Sequence, residues 1–158
     1  MSANADPNPA PRLVASLELR EVLTVEGLQI STYESIYYQL RELSQRYRDF
    51  TRFRLIGQSH DERMIPMLEI GKGEQVLICT AGIYGREKRN TEFLVKMAEE
   101  YCQAYECSRL IERQYPVEEL LDGTSICIVP LVNPDGYEIS RRGFTAIGNP
   151  ILRQMLKM

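Results

Sequence analysis

Histidine is almost absent from this chain: His60 is the one imidazole in 158 residues. No other ligand-type residue stands at a motif spacing from it, so a histidine-based centre built locally is excluded, and a solvated turn residue beside Asp61 is the simpler reading. Cys-x-x-Cys spacing is absent too, which removes zinc knuckles and dithiol redox motifs. Cys79 and Cys127 fall in apolar strand patterns, Cys102 and Cys107 lie five apart on a helical stretch, and all four are expected to be buried free thiols. Basic clusters are missing. With a formal charge of −3, a pI near 5.3 and scattered Lys and Arg, the chain carries no electrostatic footprint for nucleic acid. No apolar run approaches the ~18 residues of a membrane span. The first twelve residues lack the apolar region of a signal peptide, which makes a cytoplasmic chain with no membrane partner the expectation.

What is present suits one globular domain. At 44% hydrophobic and 26% charged, a chain of this length buries roughly 70% of its unfolded surface. Met1–Arg12, rich in Pro, Asn and Ala, reads as a disordered tail, leaving 13–158 as the domain. Leu13–Ile30 alternates weakly enough to suggest one strand or a hairpin. Ser31-Thr32-Tyr33-Glu34 has the pattern of a capping box, and Ile36, Leu40, Leu43 and Tyr47 recur on one helical face. Thr51–Ser59 and Met64–Ile70 read as an antiparallel hairpin across His60-Asp61-Glu62-Arg63.

The most informative stretch is Gln75–Glu87, QVLICTAGIYGRE. Val76–Thr80 is a continuous apolar run, the pattern of a strand buried on both faces. Gly82 and Gly85 then turn the backbone and deliver Arg86 and Glu87 into the first turn of a helix over Lys88–Tyr105. Its expected buried face is Leu94, Met97, Ala98, Tyr101 and Tyr105, with Glu92, Lys96, Glu99, Glu100 and Gln103 opposite. Cys107–Leu121 reads as further helix broken at Pro116, and Thr124–Val132 as a second buried strand. A helix between two apolar strands implies a parallel pair joined by a crossover. Asn133-Pro134-Asp135-Gly136 ends that strand in a turn, and Pro150–Lys157 forms a short last helix.

Ala81-Gly82-Ile83-Tyr84-Gly85-Arg86-Glu87 resembles the metal-binding turn of zinc carboxypeptidases of the carboxypeptidase A type, in which His-x-x-Glu supplies two ligands and Arg often precedes the Glu. The downstream Asn133-Pro134-Asp135-Gly136 resembles the same family's strand-then-turn signature, in the same order and spacing. The resemblance runs from about Thr32 to Leu156. It implies an α/β fold of three layers, α/β/α, around a mixed, largely buried sheet: the N-terminal half of a zinc-carboxypeptidase-like domain.

The same resemblance implies zinc as cofactor, Glu87 as a ligand, Tyr84 at the ligand-histidine position and Arg86 facing a peptide substrate. The family's second zinc His, its general-base Glu and its Asn-Arg pair for the substrate carboxylate fall beyond Met158. A zinc hydrolase needs about three protein ligands plus an open position for water. A phenol that ionises near pH 10 must be shifted by about 3 units, roughly 4 kcal/mol, to serve as a ligand at neutral pH. Tyr84 is therefore read first as a residue that packs or hydrogen-bonds at the turn, and Glu87 also as a first-turn acid favoured by the helix dipole. The expectation is a metallocarboxypeptidase relative without hydrolytic activity as an isolated chain. The alternative from another class is a non-catalytic domain that binds peptides or a protein.

Partners follow from where the chain stops: a complementing C-terminal chain, or a second copy pairing on a sheet edge left uncovered. The competing expectation has the tail, with Ile151, Leu152, Met155 and Leu156, folding back over that surface.

Overall fold

The computed structural model describes residues 31–111 and 115–157, so the expected tail at Met1–Arg12 and the expected strand or hairpin at Leu13–Ile30 lie outside the described residues. Helix α1, Tyr33–Arg46, is capped one residue later than the capping-box pattern suggests. Thr32 Oγ1 accepts the Ser35 N–H at 3.0 Å, whereas Ser31 turns its own N–H to Glu92 at 2.8 Å. Ile36 and Leu40 are buried as their spacing predicts.

Strands β1 (Thr51–Gln58) and β2 (Met64–Ile70) form the expected antiparallel hairpin, with a bulge between Leu55 and Gly57. Glu62 in its turn takes φ 63, a left-handed conformation that a non-glycine residue adopts at a cost. Strand β3 (Gln75–Thr80) is followed by helix α2 (Lys88–Glu106). Beyond α2 the expected helix over Cys107–Leu121 does not form. Ser108 at φ 49 ends the helical run, Leu110–Ile111 (β4) pairs with Tyr115–Pro116 (β5), and only Val117–Gly123 is helical (α3). Pro116 sits at the cap of α3, where its missing N–H and fixed φ are tolerated.

Strand β6 covers Thr124–Val129, shorter than expected because Val132 already turns its N–H onto the Ala81 carbonyl at 3.0 Å. Asn133-Pro134-Asp135-Gly136 is more than a turn. Asn133 Oδ1 accepts the Gly136 N–H and Pro134 occupies the first helical position, so the motif starts helix α4, Pro134–Arg142. A 3-10 turn at Gly143–Ala146 and helix α5, Pro150–Met155, complete the described chain.

The sheet order is β1-β2-β6-β3, with β6 parallel to β3 and antiparallel to β2. This is the mixed α/β sheet expected, including the parallel pair that flanks α2. Leu68, Ile70, Ile126 and Ile128 pack against Leu40, Leu94, Ala98, Cys102 and Leu121 from the helices. Each such fully buried aliphatic side chain contributes about 1.5–3 kcal/mol.

Four expectations about burial are corrected. Strand β3 is not enclosed on both faces: among the described residues only β6 pairs with it, and Val76, Leu77 and Ile78 are 58%, 54% and 64% exposed. Glu92, expected on the solvent face of α2, is buried where it receives the Ser31 N–H. Cys102 and Cys127 are buried free thiols, but Cys107 stands exposed at the end of α2 and Cys79 is half-buried. The tail buries Ile147 and half-buries Leu152, but Ile151, Met155 and Leu156 stay exposed rather than folding inward.

Candidate functional site

β3 and β6 run parallel and end side by side, which brings the two sequence motifs together across 50 residues. Ala81 donates its N–H to the Val129 carbonyl at 3.0 Å, and Asn133 donates its N–H to the Gly82 carbonyl at 2.9 Å. The Asn133 side chain reaches the Ile83 carbonyl at 3.3 Å, and the Ser140 hydroxyl reaches the Gly85 carbonyl at 2.6 Å. Gly82 is buried at φ 64. Both the backbone angle and the contact with Leu131 exclude a side chain there.

The turn so held carries Tyr84, Arg86 and Glu87. Glu87 immediately precedes α2 and folds its carboxylate back: Oε2 accepts the Ile83 N–H at 3.1 Å and the Tyr84 N–H at 3.4 Å. The Tyr84 ring is 72% exposed. Arg86 is exposed as well and forms no ion pair with any described residue. The structure thus gathers all three sequence-predicted residues on one loop, with the carboxylate engaged by backbone and the phenol and guanidinium offered to solvent. His60 lies exposed in the β1–β2 turn.

The family of zinc carboxypeptidases matches residues 36–153. The chain belongs to that family. Carboxypeptidase D from Anas platyrhynchos is 33% identical over 147 residues, covering 85% of this chain and 10% of that protein. Carboxypeptidase D from Homo sapiens is 34% identical over 114 residues, 68% of this chain and 8% of its own length. Bovine thrombin-activatable fibrinolysis inhibitor, solved with a tick carboxypeptidase inhibitor, superposes with a TM-score of 0.61 at 23% identity, over 72% of this chain and 34% of that one. The chain therefore spans only a small part of the length of the relatives it matches.

The family implies zinc, and the residues on the turn do not by themselves fit it. Among the described residues no group of three His, Cys, Asp or Glu side chains converges on a point that could hold a metal. Glu87 offers one carboxylate, half of it already spent on two N–H groups. A zinc centre requires about three protein ligands.

Sequence reasoning missed the polar cluster beside this turn. Arg63 Nη1 contacts Asp61 Oδ2 and Asp135 Oδ1, both at 2.7 Å, and its Nη2 donates to the Ala146 carbonyl at 2.6 Å. Asp135 also accepts the Ser59 hydroxyl and the Asp61 N–H, while Asp61 accepts the N–H groups of Gly148 and Asn149 at 2.9 Å. One guanidinium thereby ties the hairpin turn to α4 and to the chain leading into α5. Burial pushes the Asp61 carboxyl up, but the Asn149 and Gly148 N–H groups and Arg63 outweigh it and hold it below the ordinary range. The only sequence signal was Asp-x-Arg in a turn, and its partner Asp135 lies 72 residues away.

Glu138 is fully buried. Its carboxylate accepts the Tyr33 N–H at 2.9 Å and the Arg142 Nε at 2.8 Å, with Arg141 at 3.2 Å. Burial raises its pKa, and these donors together more than reverse that. Next to it, Tyr137 donates its hydroxyl to the Ser31 carbonyl at 2.7 Å.

Proposed function

We propose that this chain is a peptide-directed module of the zinc carboxypeptidase family that does not hydrolyse C-terminal residues by itself. The observation that carries this reading is the Glu87 turn. Its backbone is held by the Asn133-Pro134-Asp135-Gly136 helix start, as a metal-binding turn requires, yet its one carboxylate is occupied by the Ile83 and Tyr84 N–H groups. Arg86 is the group that meets the peptide, as an exposed cation with no carboxylate already paired to it among the described residues. On this reading the chain works with a protein partner, either a second copy or a chain that completes the site.

A non-catalytic peptide- or protein-binding domain is the second reading, favoured by the exposure of Tyr84 and Arg86 on a rigidly held loop. Zinc titration tests the first reading, and the zinc dependence of peptide binding separates it from the second. The isolated chain should bind zinc no tighter than about 10 μM, far short of the ~10–16 kcal/mol of a structural site. Tyr84→His should tighten binding while leaving peptidase activity undetectable. Stoichiometric submicromolar binding by the unaltered chain, or zinc-dependent hydrolysis of a peptide with a free but not a blocked C-terminus, would overturn the proposal. Peptide binding that is lost in Arg86→Ala without any zinc requirement would establish the second reading.

A further inference from the structure

Each backbone carbonyl of the candidate turn, from Ala81 to Gly85, accepts a hydrogen bond. The Val132 and Asn133 N–H groups hold those of Ala81 and Gly82, the Asn133 side chain holds that of Ile83, and the Glu87 N–H holds that of Tyr84. These donors come from the turn itself or from the residues that lead β6 into α4. The Gly85 carbonyl is held differently, by the Ser140 hydroxyl at 2.6 Å, a donor 55 residues later in the last turn of α4.

Gly85 is where such a tie matters most. It has no side chain with which to anchor itself, glycine has the widest backbone freedom of any residue, and the next residue is Arg86. The Gly85 carbonyl and the Arg86 N–H lie in one rigid peptide plane. Fixing the oxygen therefore fixes the plane from which the Arg86 side chain departs. We propose that Ser140 is a positioning residue for Arg86: through Gly85 it sets the direction in which the guanidinium leaves the turn. That this direction serves a peptide rests on the reading of Arg86 given above.

The helix brings the hydroxyl there by its period. Residues 136 and 140 are four apart and share one face of α4. Gly136 lets the Gly85 backbone come against the helix, and Ser140, one turn on, meets its carbonyl. The separation of 2.6 Å is that of a well-formed O–H···O bond. Ser140 is an exposed residue, and serine is a poorer helix former than alanine. Ser140→Ala therefore leaves α4 no less stable as a helix and removes only the donor, whereas Ser140→Thr keeps the hydroxyl.

Backbone amide NMR relaxation of the full chain reads the tie directly. The Arg86 amide of the unaltered protein should have the order parameter of rigid backbone, about 0.85, and in Ser140→Ala it should fall toward about 0.6. Ser140→Thr should restore it. Binding of a fluorescein-labelled peptide with a free C-terminal carboxylate reads the consequence. Ser140→Ala should weaken that binding about fivefold, the worth of one ordinary hydrogen bond, and Ser140→Thr should recover it. In an Arg86→Ala background, Ser140→Ala should cost nothing further. A merely structural serine would lower the thermal midpoint and leave both readouts where they were. The proposal is overturned by an Arg86 amide already mobile in the unaltered protein, by an order parameter that Ser140→Ala does not move or Ser140→Thr does not restore, or by peptide affinity that depends on Arg86 and not on Ser140. Peptide binding that Arg86→Ala leaves intact would instead overturn the peptide reading of Arg86, and the order parameters would still decide the role of Ser140.

Discussion

Gly85 stands so close to Gly136 that a Cβ added to Gly85 would lie 2.1 Å from the Gly136 carbonyl oxygen. The loop bearing Tyr84, Arg86 and Glu87 therefore rests directly on the first turn of α4, backbone against backbone. Gly85→Ala should cost about 1–3 kcal/mol in urea unfolding, the range for overpacking a tight contact. Gly57→Ala is the control, since its Cβ would meet only Ile65 Cδ1 at an ordinary 3.5 Å. Equal stability of the two variants would show that the loop does not depend on this contact.

Arg63 neutralises two carboxylates at once, at 2.7 Å each. Arg63→Met should destabilise the protein by about 3 kcal/mol, because it leaves Asp61 and Asp135 uncompensated in a largely enclosed site. Arg63→Met combined with Asp61→Asn should recover part of that loss. Non-recovery in the double variant would assign the effect to packing of the arginine stem instead.

Tyr47 buries a hydroxyl that has no hydrogen-bond partner among the described residues. An unpaired buried donor costs about 1–3 kcal/mol, so Tyr47→Phe should raise the thermal midpoint while keeping the ring against Phe50. A lowered midpoint would mean that the hydroxyl is satisfied in solution.

Acid should unfold the protein through Asp61 and Glu138, whose folded pKa values are held below their ordinary values of 3.8 and 4.5. A depressed carboxyl pKa contributes stability that is present above the ordinary value and lost as pH falls through the folded one. Stability should hold down to about pH 5 and drop below that. Glu138→Gln should flatten the drop, and a profile that keeps its slope in this variant would remove Glu138 from the account.

Thiol chemistry should divide the cysteines. Burial pushes the Cys102 thiol up to about 12, with Glu99 and Glu106 adding to it, whereas Cys107 is exposed at the helix end. A thiolate-selective reagent near pH 8 should modify Cys107 first and reach Cys102 only on unfolding. Cys107→Ser should abolish the fast phase. Rapid labelling of Cys102 in the folded protein would indicate local opening of α2.

The elements that came through in the sequence were those with a strong local period or a strong local stop. The α1 face at Ile36 and Leu40, the hairpin around residues 59–63 and the helix after Glu87 all announced themselves within a few residues. The candidate turn was legible because Gly82 and Gly85 are demanded by backbone conformation and approach, and those demands fall on residue type. What failed was burial that depends on distant neighbours. Val76-Leu77-Ile78 has the composition of an enclosed strand, and nothing in those three residues records that, among the described residues, β3 pairs with β6 alone. Glu92 was expected on the solvent face because the Ser31 N–H that it accepts, just ahead of α1, lies far off in sequence. The helix α4 was hidden by its own start, since the residues that cap a helix are also those of a turn.

The ties at the head of α1 bear on how this protein comes off the ribosome. Tyr33 gives its first-turn N–H to Glu138, 105 residues later, and the Ser31 carbonyl waits for the Tyr137 hydroxyl, 106 residues later. Until α4 has been synthesised these two hydrogen bonds cannot form. Among the described helices, the first to emerge is thus one whose amino end gains these two ties only when α4 follows, so a nascent chain halted before Tyr137 holds α1 without its link to α4.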